Sequence, residues 1–137
     1  MGVTIRCKKT GKSIDMGAGG FMRLRNKVAE LAGGPFAEHY LSLKSFGDEE
    51  YFRKFDERTD EILKEKQADI KIVDFCLQSD CGGKIRYGAC KSILKAIGDY
   101  DDNIKYGYCG RPDCAMFKDF KEILRDCVEN KCDMCWD

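Results

Sequence analysis

Cysteine is the residue that most constrains how this chain can fold. Nine of the 137 residues are cysteines, and eight of them lie between residues 76 and 135. An odd number of thiols cannot pair completely within one chain. The opening MGVTIRCKKTGKS also lacks the apolar segment of a secretory signal. We therefore expect a reducing, cytoplasmic location, where thiols are buried in the core, bound to metal or catalytic.

The spacing of the cysteines predicts a zinc site. Two pairs share the spacing C-x4-C, in FCLQSDC and YCGRPDC, and the chain ends on C-x2-C in NKCDMCWD. Closely spaced thiolates that loops bring together are typical ligands of tetrahedral structural zinc. Four thiolates leave no open coordination position, so the Zn²⁺ would contribute folding free energy and no catalysis.

Hydrophobic periodicity separates the cysteines of the predicted core from the candidate ligands. Cys7 alternates with apolar residues of a predicted strand, and Cys90 and Cys127 continue the apolar faces of predicted helices. Cys132 alternates with two large apolar residues near the C-terminus. Four of the remaining five would complete the site, with Cys114 least favoured because it falls near an apolar helix face. The predicted metal ligands are Cys76, Cys81, Cys109, Cys114 and Cys135.

Other uses of the thiols remain open at this point. One is a thiol-rich core without metal. Another is a redox pair formed by Cys132 and Cys135, although no thioredoxin-like βαβ pattern surrounds them. A nucleophilic cysteine would need a base, and the only histidine is His39, which we interpret as a surface or boundary residue. We therefore expect no catalytic residues and no enzymatic activity.

The pattern of apolar residues predicts one α+β domain over residues 1–137. Residues 3–7 and 12–16 alternate between apolar and polar around a Thr-Gly pair, which indicates a β-hairpin. The segment IKIVDFCL, residues 70–77, is apolar and rich in β-branched residues, which favours a central strand. These strands, with a short strand within 132–136, would form a small antiparallel or mixed sheet.

Four or five helices are expected to pack on this sheet. The predicted spans are about 20–32, 36–44, 48–66, 87–98 and 113–128. Asp113 is the predicted N-cap of the last helix. The predicted zinc would stabilise the cysteine-rich C-terminal half.

Charge is distributed unevenly along the chain, although the net charge is zero. The first 27 residues carry seven basic side chains and only one acid, Asp15. Such a segment could bind nucleic acid, but a dedicated DNA-binding protein is usually more basic overall. Nucleic-acid binding is therefore the alternative function. The residues that would serve it are Arg6, Lys8, Lys9, Lys12, Arg23, Arg25 and Lys27.

Several stretches resemble small accessory proteins encoded by phages and prophages of Gram-positive bacteria. They are GAGGFMRLRNKVAEL, SDCGGKIRYGACKSI, DYDDN and YGYCGRPDCAMFKDFKEILRDCVENKCDM. The resemblance implies a location in the cytoplasm of a bacterial host cell. Accessory phage proteins of this size include anti-CRISPR inhibitors, which typically act by stoichiometric binding and without catalysis.

The resulting prediction is a non-enzymatic, zinc-binding phage protein that acts by protein–protein interaction. Its partner would be a host or phage protein, with a CRISPR effector nuclease, blocked from loading nucleic acid, as the specific candidate. No apolar run approaches the ~20 residues needed to cross a bilayer, so no membrane partner is expected. No pattern in the sequence singles out interface residues.

Overall fold

The computed structural model describes residues 2–44, 46–104, 106–111 and 115–137. Within them the chain forms six helices and a four-stranded antiparallel sheet, which confirms the α+β class. The sixth helix, beyond the four or five expected, is α4. The elements are β1 (Gly2–Cys7), β2 (Ser13–Gly17), α1 (Ala18–Ala32), α2 (Gly34–Leu41), α3 (Glu49–Lys64), α4 (Ile70–Leu77), β3 (Gly83–Ile85), α5 (Tyr87–Ile97), α6 (Phe117–Asn130) and β4 (Met134–Trp136).

The sheet joins the two ends of the chain. Its strand order is β2-β1-β4-β3, so the predicted hairpin of β1 and β2 is confirmed and the predicted C-terminal strand pairs beside it. Cys7 lies opposite Met134 in the β1–β4 pair, and Ile85 lies opposite the same residue in the β3–β4 pair. Because β4 is an inner strand, the sheet is complete only when the C-terminus is in place.

Residues 70–77 form helix α4, so the prediction of a central strand there was wrong. Asp69 caps the helix, its carboxylate accepting a hydrogen bond of 2.9 Å from the backbone N–H of Lys71. The buried residues follow the spacing of a helix, because packing and the cap outweigh the strand propensity of β-branched residues. They are Ile72, Val73, Phe75 and Cys76.

The other helices match the predicted spans with shifted ends. The last helix begins at Phe117, and the predicted cap Asp113 lies outside the described residues. Asp119 instead satisfies the first turn, its carboxylate accepting a hydrogen bond of 2.7 Å from the backbone N–H of Met116. The helix then continues to Asn130.

An aromatic cluster forms the centre of the core, where α1, α4 and α6 meet the sheet. The Trp136 ring lies 5.6 Å from that of Phe21 and 5.5 Å from that of Phe75, centroid to centroid. Phe120 stacks on Phe75 at 5.9 Å. The indole N–H of Trp136 donates to the carbonyl oxygen of Ser79 at 2.9 Å, so the polar atom of this buried ring is satisfied.

Candidate metal centre

Three cysteines converge at one end of the β1–β4 pair. The sulfur atoms of Cys7, Cys127 and Cys132, here named the thiol cluster, all lie within 4.8 Å of one another. The Sγ atoms of Cys7 and Cys132 are 3.3 Å apart. In the described part of the chain, no other group of three or more histidine, cysteine or acidic side chains is close enough to hold a metal ion.

Strand pairing and a tight turn position Cys7. The residue ends β1, and the next backbone N–H, of Lys8, donates to the carbonyl oxygen of Asp133 at 3.1 Å. Burial by itself raises the pKa of Cys7, but hydrogen bonds from the hydroxyl and backbone of Thr10, from the Cys132 thiol and from the backbone of Lys9 lower it to about 7. The turn therefore favours the thiolate form, which is the form that binds metal.

The end of helix α6 brings Cys127 and Cys132 together. Lys131 adopts the left-handed conformation, with φ of 50°, and reverses the chain after the last helical turn. The backbone N–H of Cys132 then donates to the carbonyl oxygen of Cys127 at 3.1 Å, the hydrogen bond of a Schellman motif. This local turn returns the second thiol to the first.

A fourth cysteine, Cys90 of α5, borders the thiol cluster beside Cys127. Cys90 is fully buried, although its sulfur is not among the three that lie within 4.8 Å of one another. The pKa of Cys127 is raised, above all by its interaction with the Cys90 thiol and then by burial and by Cys7. The pKa of Cys132 is raised by burial and by its hydrogen bond to Cys7.

Besides burial, the proximity of other thiols raises the pKa values of Cys127 and Cys132. Closely spaced thiols resist ionising together, because a second thiolate would be repelled by the first in a medium of low dielectric. A divalent cation at the centre removes that repulsion and stabilises every thiolate at once. The geometry also fits, since Zn–S bonds of about 2.3 Å place tetrahedral ligand sulfurs about 3.8 Å apart.

The structure does not bring together the five cysteines that the sequence predicted as ligands. Any four of the five would include three of the four that lie in the described residues, and no three of these form a group. The fifth, Cys114, lies outside the described residues. Cys76 is buried in α4, Cys81 is exposed before β3, Cys109 contacts the carbonyl oxygen of Asp15, and Cys135 lies on β4.

In this fold a buried cysteine can also belong to a group of possible metal ligands, so burial does not exclude metal binding. Cys7, Cys90 and Cys127 are buried, as their periodicity predicts, yet two of them belong to the thiol cluster. A signal was available, because Cys127 and Cys132 form a third C-x4-C pair. Its position at the end of an amphipathic helix indicates that the two thiols can meet across one helix terminus.

His39 and the basic N-terminal segment have structural partners. The Nε2 atom of His39 lies 2.8 Å from the hydroxyl of Thr59, and its ring stacks on Phe55 at 3.9 Å. Four of the seven basic side chains that could serve nucleic-acid binding are engaged within the protein. Arg6 pairs with Asp137, Lys12 with Glu122 and Lys27 with Glu30, while Arg25 donates to the carbonyl oxygen of Gln78.

Comparison with known proteins does not assign this chain to a family. No protein-family model matches the chain, and no curated protein and no solved structure matches it. Among the residues described, none of the helices has the length and apolar character needed to span a bilayer.

Proposed function

We propose that this chain is a zinc-stabilised protein without catalytic activity that acts by binding another protein. The observation that carries the proposal is the convergence of three thiols from β1, α6 and the segment before β4. A metal ion there ties the first strand to the last helix and so closes a loop of most of the chain. Such a link stabilises the folded state by the free energy of metal binding.

The chemistry of the thiol cluster favours zinc. Sulfur ligands select soft or borderline metals, and tetrahedral all-cysteine sites are typical of structural zinc. Cys90 is the proposed fourth ligand, because it is buried and its thiol interacts with that of Cys127. Four thiolates close the coordination sphere, which leaves no position for substrate or an activated water.

The absence of catalysis is supported by the position of the one histidine. A nucleophilic thiol needs a nearby base to activate it, and His39 is the only histidine in the chain. Its ring nitrogen is already hydrogen-bonded to Thr59 and to the carbonyl oxygen of Phe55. His39 links α2 to α3, on elements that contribute none of the cysteines of the thiol cluster.

The resemblance to phage accessory proteins gives the binding activity a specific form. We infer stoichiometric inhibition of an RNA-guided nuclease in the bacterial cytoplasm, before the nuclease loads its nucleic acid. The test is DNA cleavage by purified effector nucleases from Gram-positive bacteria with increasing amounts of this protein. We expect inhibition to saturate near one equivalent and to require mixing before guide or target is added. Undiminished cleavage across the panel contradicts this form of the proposal.

The zinc centre is tested by elemental analysis of protein purified without a metal-affinity tag. We expect about one zinc per chain, lost in Cys127→Ser and strongly reduced in Cys132→Ser. The matched controls are Cys76→Ser, which changes a buried thiol outside the cluster, and Cys81→Ser, which changes an exposed one. Both should keep the full zinc content. Cys132 is only partly buried, so its variant should fold even if Cys127→Ser does not.

Two results contradict the zinc proposal. One is wild-type protein without zinc. The other is equal zinc content in the wild type and in folded Cys132→Ser. Loss of zinc from Cys90→Ser would support Cys90 as the fourth ligand, and full retention would exclude it.

A further inference from the structure

We propose that the groove between α3 and α4 binds a basic amphipathic helix of a partner protein. This inference rests on the proposed binding function and assigns it a surface and a class of partner. The groove, here named the α3–α4 groove, has a volume of about 440 Å³ and is lined by both helices. It is separate from the thiol cluster, to which neither helix contributes a cysteine.

The two helices present matching stripes to the groove. The lining residues of α3 lie at positions 56, 59, 60 and 63, and those of α4 at positions 70, 73, 74 and 77. Each set follows the spacing i, i+3, i+4, i+7, which defines one continuous face of a helix. Two such faces with a gap between them form a site into which a third helix can pack.

Four of the eight residues that line the groove are apolar, and two of these are exposed. Ile70 exposes 64% of its surface and Leu77 exposes 39%. Leu63 lies partly buried on the opposite wall. Ile70 is among the most exposed large apolar residues in the described part of the chain. Covering these side chains would stabilise a complex by roughly 25 cal/mol for each Å² of apolar surface removed from water.

The groove also carries carboxylates without partners. Neighbouring acids of α3, such as Glu57 and Glu61, form ion pairs with arginines of the same helix. In contrast, the described residues provide no ion pair or hydrogen bond to the carboxylate of Asp56 or of Asp60, both of which line the groove. On the facing wall, the carboxylate of Asp74 accepts a hydrogen bond from the side-chain amide of Gln78 and from no other described residue.

Exposed apolar side chains beside carboxylates favour one class of partner over the others. Nucleic acid is disfavoured because three carboxylates would face its phosphates. A second copy docked groove to groove would place like charges opposite one another, which costs binding free energy. A helix with leucine-type residues on one face and Lys or Arg beside them complements both the apolar walls and the carboxylates. Since α4 has eight residues, about 12 Å long, it matches two turns of such a helix.

The test uses a fluorescent 16-residue peptide with leucines on one helical face and lysines on the other. Its binding to the whole protein is measured by fluorescence anisotropy, and a peptide with glutamate in place of lysine serves as the probe control. We expect the double variant Asp56→Lys/Asp60→Lys to weaken binding at least tenfold, and Ile70→Ser to weaken it several-fold. The matched control Asp99→Lys/Glu129→Lys makes the same charge change on exposed residues outside the groove and should alter binding less than twofold.

Four outcomes overturn the inference. Three concern the peptide: no binding of the leucine–lysine peptide to the wild type, equal weakening by the groove and control variants, and peptide-induced hydrogen-exchange protection that falls outside α3 and α4. Dimerisation of the free protein that is lost in Ile70→Ser also overturns it, because the occupant would then be a second copy. The variants should keep their zinc, so a failure of the groove is distinguishable from a failure of the zinc centre.

Discussion

The thiol cluster and the α3–α4 groove differ in how exposed their ionisable side chains are. Cys7 and Cys127 are fully buried, and neighbouring groups shift the pKa values of both thiols. Asp56 and Asp60 are exposed and have no partner among the described residues. In our proposals, the buried thiol cluster stabilises the fold by holding a metal ion, and the exposed groove binds a partner protein.

The largest effect is expected from removing the metal. A structural zinc contributes about 10–16 kcal/mol of apparent binding free energy in small zinc-finger peptides. If chelation removed only about 4 kcal/mol here, the Tm would fall by roughly 10–15 °C. The measurement is thermal unfolding with and without a high-affinity chelator, monitored by circular dichroism. A Tm that the chelator leaves unchanged would break the comparison, because the thiol cluster would then be an ordinary part of the core.

The next prediction compares a buried and an exposed apolar side chain. Trp136→Ala should lower the free energy of unfolding by about 3–5 kcal/mol, because it empties the centre of the aromatic cluster. Ile70→Ala on the groove should change it by less than about 0.5 kcal/mol. Urea denaturation of both variants checks the contrast. A large loss of stability in Ile70→Ala would mean that the groove serves the fold and not a partner.

A smaller effect is expected at the turn that positions Cys132. Lys131 has a positive φ, which costs an L-residue free energy that glycine does not pay. Lys131→Gly should therefore raise the free energy of unfolding by about 0.5–1 kcal/mol without changing zinc content. Lys66 also has a positive φ but lies just beyond α3, so Lys66→Gly provides the matched control for stability. Weaker zinc retention in Lys131→Gly alone would show that the rigidity of this turn helps to hold the metal.

The smallest effect concerns pH and the α2–α3 contact. Burial lowers the pKa of His39 below its usual value of 6.5. As the pH falls through 6.5, the imidazole of the unfolded chain is therefore protonated before that of the folded chain. The His39 contribution is present above pH 6.5 and is lost as pH falls through the lowered pKa. We expect a small loss of stability between pH 7.5 and 5.0 that is absent in His39→Gln, measured by urea denaturation. Equal pH dependence in the two proteins would contradict this assignment.

Much of the fold followed from local patterns. The alternation in residues 3–7 and 12–16 predicted the hairpin, and the apolar stripes predicted five of the six helices in the described residues. The segment 70–77 was assigned wrongly because a short apolar run fits a buried strand and a buried helix equally well. The cap at Asp69 and the neighbouring helices decided the outcome.

The candidate site was less predictable than the fold. The number and spacing of the cysteines indicated thiol chemistry, but spacing does not show which thiols meet. Cys127 and Cys132 meet through a local turn that could be read from the sequence. Cys7 joins them only because β1 pairs with β4.

The sequence by itself determined the local elements of this protein and its reactive groups. These are a hairpin, amphipathic helices with defined apolar faces, and the thiols. The tertiary structure decided their combination. The 125 positions that separate Cys7 from Cys132 are bridged by strand pairing, and their sulfur atoms are 3.3 Å apart. The physical reason is the sequence separation over which each kind of interaction acts. Periodicity and capping act between residues about three or four positions apart, whereas a metal centre or a groove depends on elements that only packing brings together.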